Sequence, residues 1–97
     1  MKDSTIQFLG LVQRSNEFVY GFKLLNQVRK NKVYCVLLST KASPRTQKQI
    51  HDKCAFYRIP VFEINQEDVK RITGEEYVAL GITSQRMAKK IVNDEMR

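Results

Sequence analysis

Apolar residues Ile6, Leu9 and Val12, with Phe8 beside them, recur at helical spacing, and Asp3 or Ser4 can cap the run. The spacing predicts a first helix over about residues 4–14. The short stretch EFVYG that follows is extended and stops at Gly21. Leu24, Leu25 and Val28 then mark a second helix over about residues 22–31. It closes with RKNK, whose positive charge suits a helix C-terminus. Residues 33–39, VYCVLLS, form a continuous apolar run with β-branched and aromatic members. Such a run predicts a strand covered on both faces and therefore central in its sheet.

Ser43 followed by Pro44 is a helix-start signal, a capping hydroxyl and then a proline already set for the first helical position. Ile50, Cys54 and Tyr57 make the inward stripe of that third helix, Pro60 follows its end, and PVFEI reads as the next strand. Asn65 with Asp68 three residues on has the form of a capping box, opening a short helix through Ile72 that stops at Gly74. EYVALGIT is another β-type run, after which Ser84 caps a last helix with the inner stripe Met87, Ala88, Ile91 and Val92. Helix and strand alternate without a long linker or repeat. That order predicts a single domain over residues 1–97 of the α/β class: a three-layer α/β/α sandwich with a mixed four-stranded sheet.

The hydrophobic fraction of 42% is ordinary for a globular chain. No apolar run approaches the ~20 residues of a membrane span, and the N-terminus lacks the cationic start and long apolar segment of a secretory signal. The expectation is a soluble cytoplasmic protein with no membrane partner. Cys35 and Cys54 lack CxxC spacing or a histidine cluster and read as reduced packing residues. His51, the one histidine, lies in a Lys- and Gln-rich helix and reads as solvated surface. There is no carboxylate pair, Ser/His or Cys/His arrangement, or glycine-rich phosphate loop, so the sequence reads as a non-enzyme without cofactor or metal.

Charge changes the picture more. The net charge is +7, and residues 1–58 carry 11 Lys/Arg against 3 Asp/Glu, whereas residues 59–97 carry 6 against 7. Seven cations stand between Glu17 and Asp52 with no acid among them. So lopsided a field attracts polyanions, nucleic acid first. In open α/β sheets ligands bind beyond the carboxyl ends of strands, where helix starts expose unpaired N–H groups. The helix after Asn65 begins with the acids that suit a helix N-terminus, but those after Gly21 and Ser43 begin with cations. A phosphate seated there would reverse the unfavourable sign. Gly21 to Lys23 and Lys41 to Lys48 therefore form the expected anion-binding edge.

Several segments carry a resemblance: FLGLVQRSNEFVYG, VYCVLLSTKASPRT, the pair DKC and RIPVFEI, and NQEDVKRITGEE. In this order and spacing the chain resembles the kink-turn RNA-binding ribosomal protein family (L-seven-Ae and L-thirty-e type), in particular its short bacterial members, over about residues 8–91. The resemblance implies the α/β/α sandwich and binding of RNA bent sharply at consecutive sheared G·A pairs. The family reads those pairs with Gly-Asn-Glu-x-x-Lys after the first strand. Here the glycine is Gly21 and the readers fall on Phe22, Lys23 and Asn26, none of which matches. A lysine has donors only and cannot replace a guanine-reading carboxylate, although it can bind phosphate. Phe22 either stacks on an exposed base or folds into the core. The family's second contact loop falls on ITGEE, where Gly74 is kept and Glu75 and Glu76 bring negative charge. Ser43, Pro44 and Gln47 correspond to a region beside a flipped-out base, and Arg14 matches a basic position of the bacterial members.

The expected function is recognition of structured RNA, ribosomal or other non-coding, with the ribosome as a candidate partner. The expected contacts are Arg14, then Gly21, Phe22, Lys23, Asn26 and Lys30 on one helix start. Lys41, Ser43, Arg45, Gln47 and Lys48 follow on the neighbouring turn, with Gly74 and Glu75 on the loop. The alternative is a protein-interaction module on the same fold that has lost kink-turn recognition.

Overall fold

The structure, a computed structural model, describes residues 1–12, 18–21 and 23–96. The expected first helix is α1 (Asp3–Val12), and its last two expected residues lie outside the described ones. The remaining elements are β1 (Phe18–Tyr20), α2 (Lys23–Arg29), β2 (Cys35–Ser39), α3 (Pro44–Phe56), β3 (Val61–Ile64), α4 (Gln66–Thr73), β4 (Ala79–Ile82) and α5 (Gln85–Glu95). The sheet order is β1-β4-β2-β3. β2 pairs parallel with β3, and β4 pairs antiparallel with both β1 and β2, so the mixed four-stranded sheet is as expected. All five residues of β2 are buried, as a central strand requires.

Alternation along the strands sorts the core into two layers. Cys35 and Leu37 of β2, with Leu80 and Ile82 of β4, face α1, α4 and α5 through Ile6, Leu9, Val69, Ile72, Ala88 and Ile91. Val36, Leu38 and Ala79 point the other way and pack on Leu24 and Val28 of α2 and Ile50 and Cys54 of α3. The α/β/α layering follows. Gly81 makes the second interface possible. A Cβ there would stand 2.5 Å from Leu24 Cδ1, 2.9 Å from Val19 Cγ1 and 3.1 Å from Val33 Cγ1. A side chain there would force Leu24 and Val19 to shift from the positions that let α2 settle this closely on β4.

Capping fixes where each helix starts and stops. Ser43 Oγ accepts the Thr46 N–H at 3.2 Å and Pro44 occupies the first turn, as read from the sequence. Ser84 Oγ likewise accepts from the Met87 N–H at 3.3 Å. The expected Asn65–Asp68 capping box does not form: Asn65 is the N-cap, but its side chain makes no capping bond. α2 and α3 end alike. The Lys32 N–H donates to Gln27 O and the Asn31 N–H to Val28 O, both at 3.0 Å. The Ile59 N–H donates to Cys54 O (2.8 Å) and the Arg58 N–H to Ala55 O (3.3 Å). Both are Schellman closures, with Asn31 (φ +58°) and Arg58 (φ +59°) in the left-handed position that glycine fills most easily.

Both cysteines are free and buried. Burial pushes the Cys35 thiol up to about 12, with a smaller contribution from the neighbouring Cys54 thiol, and burial pushes Cys54 up to about 11. They are packing residues, protonated at neutral pH.

Candidate nucleic-acid interface

Strand directions decide which residues share an edge. β1, β2 and β3 run the same way and β4 runs against them. Tyr20, Ser39 and Ile64 therefore finish at one edge of the sheet, the edge at which Ala79 starts. The starts of α2, α3 and α4 gather at this carboxyl edge, together with the 74–78 loop. The start of α5, with Arg86, lies at the opposite edge, because α5 follows the C-terminal end of β4.

A groove of about 450 Å³ opens at the carboxyl edge. Gly21, Leu24 and Leu25 form one wall, Thr46, Gln49 and Ile50 of α3 a second, and Glu76, Tyr77, Val78 and Ala79 the floor and rim. Gly21 takes φ +71°, the left-handed turn that sends the chain from β1 straight into α2. Lys23 and Asn26 are exposed on α2, and Lys41, Ser43 and Arg45 are exposed on the turn into α3. Among the described residues, Lys23, Lys41 and Arg45 have no carboxylate within ion-pairing distance. Three cations without carboxylate partners among the described residues and a capped helix start thus stand at the edge where this groove opens.

The edge is held by a hydrogen-bond network centred on Ser39, which is only 1% exposed. Its hydroxyl donates to Gln66 Oε1 at 2.5 Å and accepts the Lys41 N–H at 3.0 Å. Gln66 Nε2 in turn donates to Tyr77 O at 2.9 Å and to Glu76 Oε2 at 3.4 Å. One amide side chain thereby ties the end of β2 to the loop before β4. Tyr77 also stacks on Tyr20, ring centroids 4.1 Å apart and planes inclined by 26°. This aromatic pair stands at the groove rim next to Gly21.

Several sequence expectations change. Arg14 and Phe22 lie outside the described residues. Lys30 does not belong to the start of α2. It follows Arg29 past the C-terminal end, about 10 Å along the helix axis from Lys23. Gln47 faces away from the groove, toward Leu38, His51, Val61 and Glu63, and its Nε2 donates to Ala42 O at 2.8 Å. Lys48 is paired with Asp52 at 3.0 Å, an exposed i,i+4 contact of little energetic weight. Gly74 closes α4 in the left-handed conformation with its N–H on Lys70 O. The Glu75 N–H donates to Thr73 Oγ1 at 3.1 Å. Glu76 is held by Lys70 Nζ at 3.2 Å, which offsets the negative charge expected on this loop.

The expected seat of free backbone N–H groups is also reduced. Ser43 Oγ takes the Thr46 N–H, Ser39 Oγ takes that of Lys41, and Ser39 O takes that of Ala42. Cationic side chains, not open amides, supply the positive field. Tyr20, Thr46, Gln49, Gln66 and Tyr77 were missed by the sequence reading. Thr46 and Gln49 had a faint signal, three residues apart and beside the buried Ile50.

This fold and edge define a small α/β/α domain suited to a polyanion. No protein-family model matches the chain. It is 32% identical to the RNA-binding protein YlxQ of Bacillus subtilis over 88 residues, 88% of each chain. It is 28% identical to the RNA-binding protein YlxQ of Enterococcus faecium over 91 residues, covering 92% of this chain and 88% of that one. The chain belongs to the family of the bacterial RNA-binding protein YlxQ, a ribosomal L-seven-Ae-like family. Among solved structures, a Bacillus halodurans protein of unknown function superposes with TM-score 0.89 at 28% identity, covering 95% of this chain and 96% of that one. A Giardia lamblia 15.5 kD RNA-binding protein shares the fold at TM-score 0.81 and 14% identity, over 97% of this chain and 89% of that one. Among the described residues no helix is long and apolar enough to cross a membrane.

Proposed function

We propose that the protein is a non-enzymatic RNA-binding protein that seats structured RNA, ribosomal or other non-coding, against the carboxyl edge of its sheet. Membership of a family whose named members are RNA-binding proteins supports the ligand class. The observation that carries the placement is that Lys23, Lys41 and Arg45, without carboxylate partners among the described residues, stand at the same carboxyl edge as the groove between α2, α3 and the 74–78 loop. Lys23, Lys41 and Arg45 bind phosphate. Asn26 and the Ser43 hydroxyl offer neutral hydrogen bonds, and the Gly21 turn lets the RNA backbone come close. The exposed face of the Tyr20–Tyr77 stack offers a platform for a base. Phosphate contacts set the affinity, and the shape of a bent helix supplies selectivity.

The test is a titration with an RNA stem–loop–stem carrying consecutive sheared G·A pairs, beside a fully Watson–Crick duplex of the same length. With three to five phosphates neutralised, log K falls against log[salt] with a slope of roughly −2 to −4.5. Lys23→Glu with Arg45→Glu flattens that slope by about 2 while leaving the urea midpoint in place. Unchanged binding by the double variant would remove the carboxyl edge as the RNA face. Equal affinity for the two RNAs would remove the requirement for a bend.

A further inference from the structure

The seam between α2 and α3 continues past the groove at the carboxyl edge. A second hollow of about 560 Å³ lies further along it, lined by Leu25, Gln49, Asp52, Lys53, Phe56 and Tyr57. It shares Leu25 and Gln49 with the first, so the two adjoin as one trough running along α3 toward its C-terminal end, the side at which α2 also closes. At that far end stand Arg29, Lys30 and Lys32 from the close of α2, and Lys53 and Arg58 from the close of α3. All five are exposed, and among the described residues none pairs with a carboxylate. Asp52 is the one acid lining this hollow, and Lys48 already holds it.

The helix dipole accounts for two of the five, since Arg29 and Lys53 sit in last helical turns. Lys30, Lys32 and Arg58 lie beyond the helices. Arg58 also occupies a left-handed position, at φ +59°, that glycine fills with less strain. Beside them the Phe56 ring is 78% exposed and held edge-on by Tyr57, with centroids 4.9 Å apart. An exposed aromatic face near cations that have no carboxylate partner among the described residues is the combination that single-stranded nucleic acid uses, a surface for a base and charges for its phosphates.

We infer that the trough between α2 and α3 takes a single-stranded RNA flank, with a base on Phe56 and phosphates against Arg29, Lys30, Lys32, Lys53 and Arg58. The inference rests on the reading of the carboxyl edge as the seat of the structured RNA from which the flank continues. α3, with its 13 residues, spans about 20 Å, roughly six nucleotides of stacked strand at about 3.4 Å each. A protein could also fill a trough, but one whose two ends carry cations with no carboxylate partner among the described residues complements a polyanion.

The test compares the blunt stem–loop–stem RNA with versions carrying a ten-nucleotide oligouridine tail at the 5′ or the 3′ end. One tail is expected to tighten binding at least fivefold and to steepen the salt slope by about 2, for three phosphates at about 0.7 each. Neutralising Lys30, Lys32 and Arg58 together to Gln removes that gain and leaves the blunt RNA unaffected. Phe56→Ala weakens the tailed RNA by roughly fivefold or more and leaves the blunt RNA alone. Circular dichroism and the urea midpoint show that both variants remain folded. If neither tail adds affinity, or if the variants weaken blunt and tailed RNA equally, the inference is overturned. If Lys23→Glu with Arg45→Glu leaves the blunt RNA bound, the reading of the carboxyl edge fails instead, and the two failures are separable.

Discussion

Replacing Gly81 by alanine tests whether the close approach of α2 to the sheet holds the edge together. The added methyl would sit 2.5 Å from Leu24 Cδ1, about 1 Å inside an ordinary carbon–carbon contact, and also inside that distance for Val19 and Val33. Leu24 is 1% exposed, so its side chain cannot yield without moving α2 or turning toward the groove that it lines. Overpacking of this kind costs about 1–3 kcal/mol, each kcal/mol lowering Tm by roughly 4–8 °C in a domain of this size. Urea denaturation of a double-mutant cycle isolates the cause. Leu24→Ala alone costs about 2–5 kcal/mol through its cavity, but in the Gly81→Ala protein the new methyl fills part of that space. The double variant should be less destabilised than the sum of the singles by about 1–2 kcal/mol. Additivity within about 0.5 kcal/mol would refute the claim that Gly81 exists to admit Leu24. RNA affinity reports on the same motion: Gly81→Ala shifts Lys23 and Asn26 with α2, whereas a purely local loss of packing would leave binding unchanged in the folded population.

Two further outcomes follow from Arg58 and from the cysteine pair. Arg58→Gly relieves the left-handed strain and should raise stability by about 1 kcal/mol in urea melts while removing one phosphate contact from the trough. A destabilised variant would show that the arginine side chain, not the backbone, governs this corner. Cys35 and Cys54 have their thiols raised to about 12 and about 11, above the ordinary value of 9.0, so the folded state retains protons that the unfolded state loses. Their stabilising contribution is complete below pH 9 and declines as pH rises from there toward 11–12, by about 1.4 kcal/mol per pH unit for each thiol. Melts of the protein and of a Cys35→Ala, Cys54→Ala variant should therefore diverge at pH 7 and converge between pH 9 and 11. A constant difference across that window would contradict the assignment.

The elements were legible because period and punctuation agreed. Within VYCVLLS the covered strand is Cys35–Ser39, preceded by an exposed Tyr34, and Ser43–Pro44 and Ser84 start helices where the sequence places them. The Asn65–Asp68 box failed because a residue pattern permits a capping bond without enforcing one. At this junction the neighbouring Gln66 side chain makes the tertiary bonds, to Ser39 and to the loop before β4. The stack of Tyr20 on Tyr77 was illegible for a related reason, since it forms where the end of β1 meets the loop before β4 and joins residues from distant parts of the chain.

The acid-free run of cations divides between two edges of the sheet, for a reason that applies to the whole α/β class. Each strand and each helix that packs along it carries the chain once across the sheet, so charges separated by one element emerge at opposite edges. Lys23 and the Lys41–Arg45 turn flank the carboxyl edge, whereas Arg29, Lys30 and Lys32 emerge where α2 ends, at the other side. Division would ordinarily weaken a binding surface. Here α2 and α3 lie on the same face of the sheet, and the trough between them leads from one group of cations to the other. Lys53 and Arg58, which the linear run did not include, join the far group because α3 ends where α2 ends. The basic half of the chain therefore presents a track, with a groove and a tyrosine stack at one end and Phe56 at the other, rather than a single point of contact.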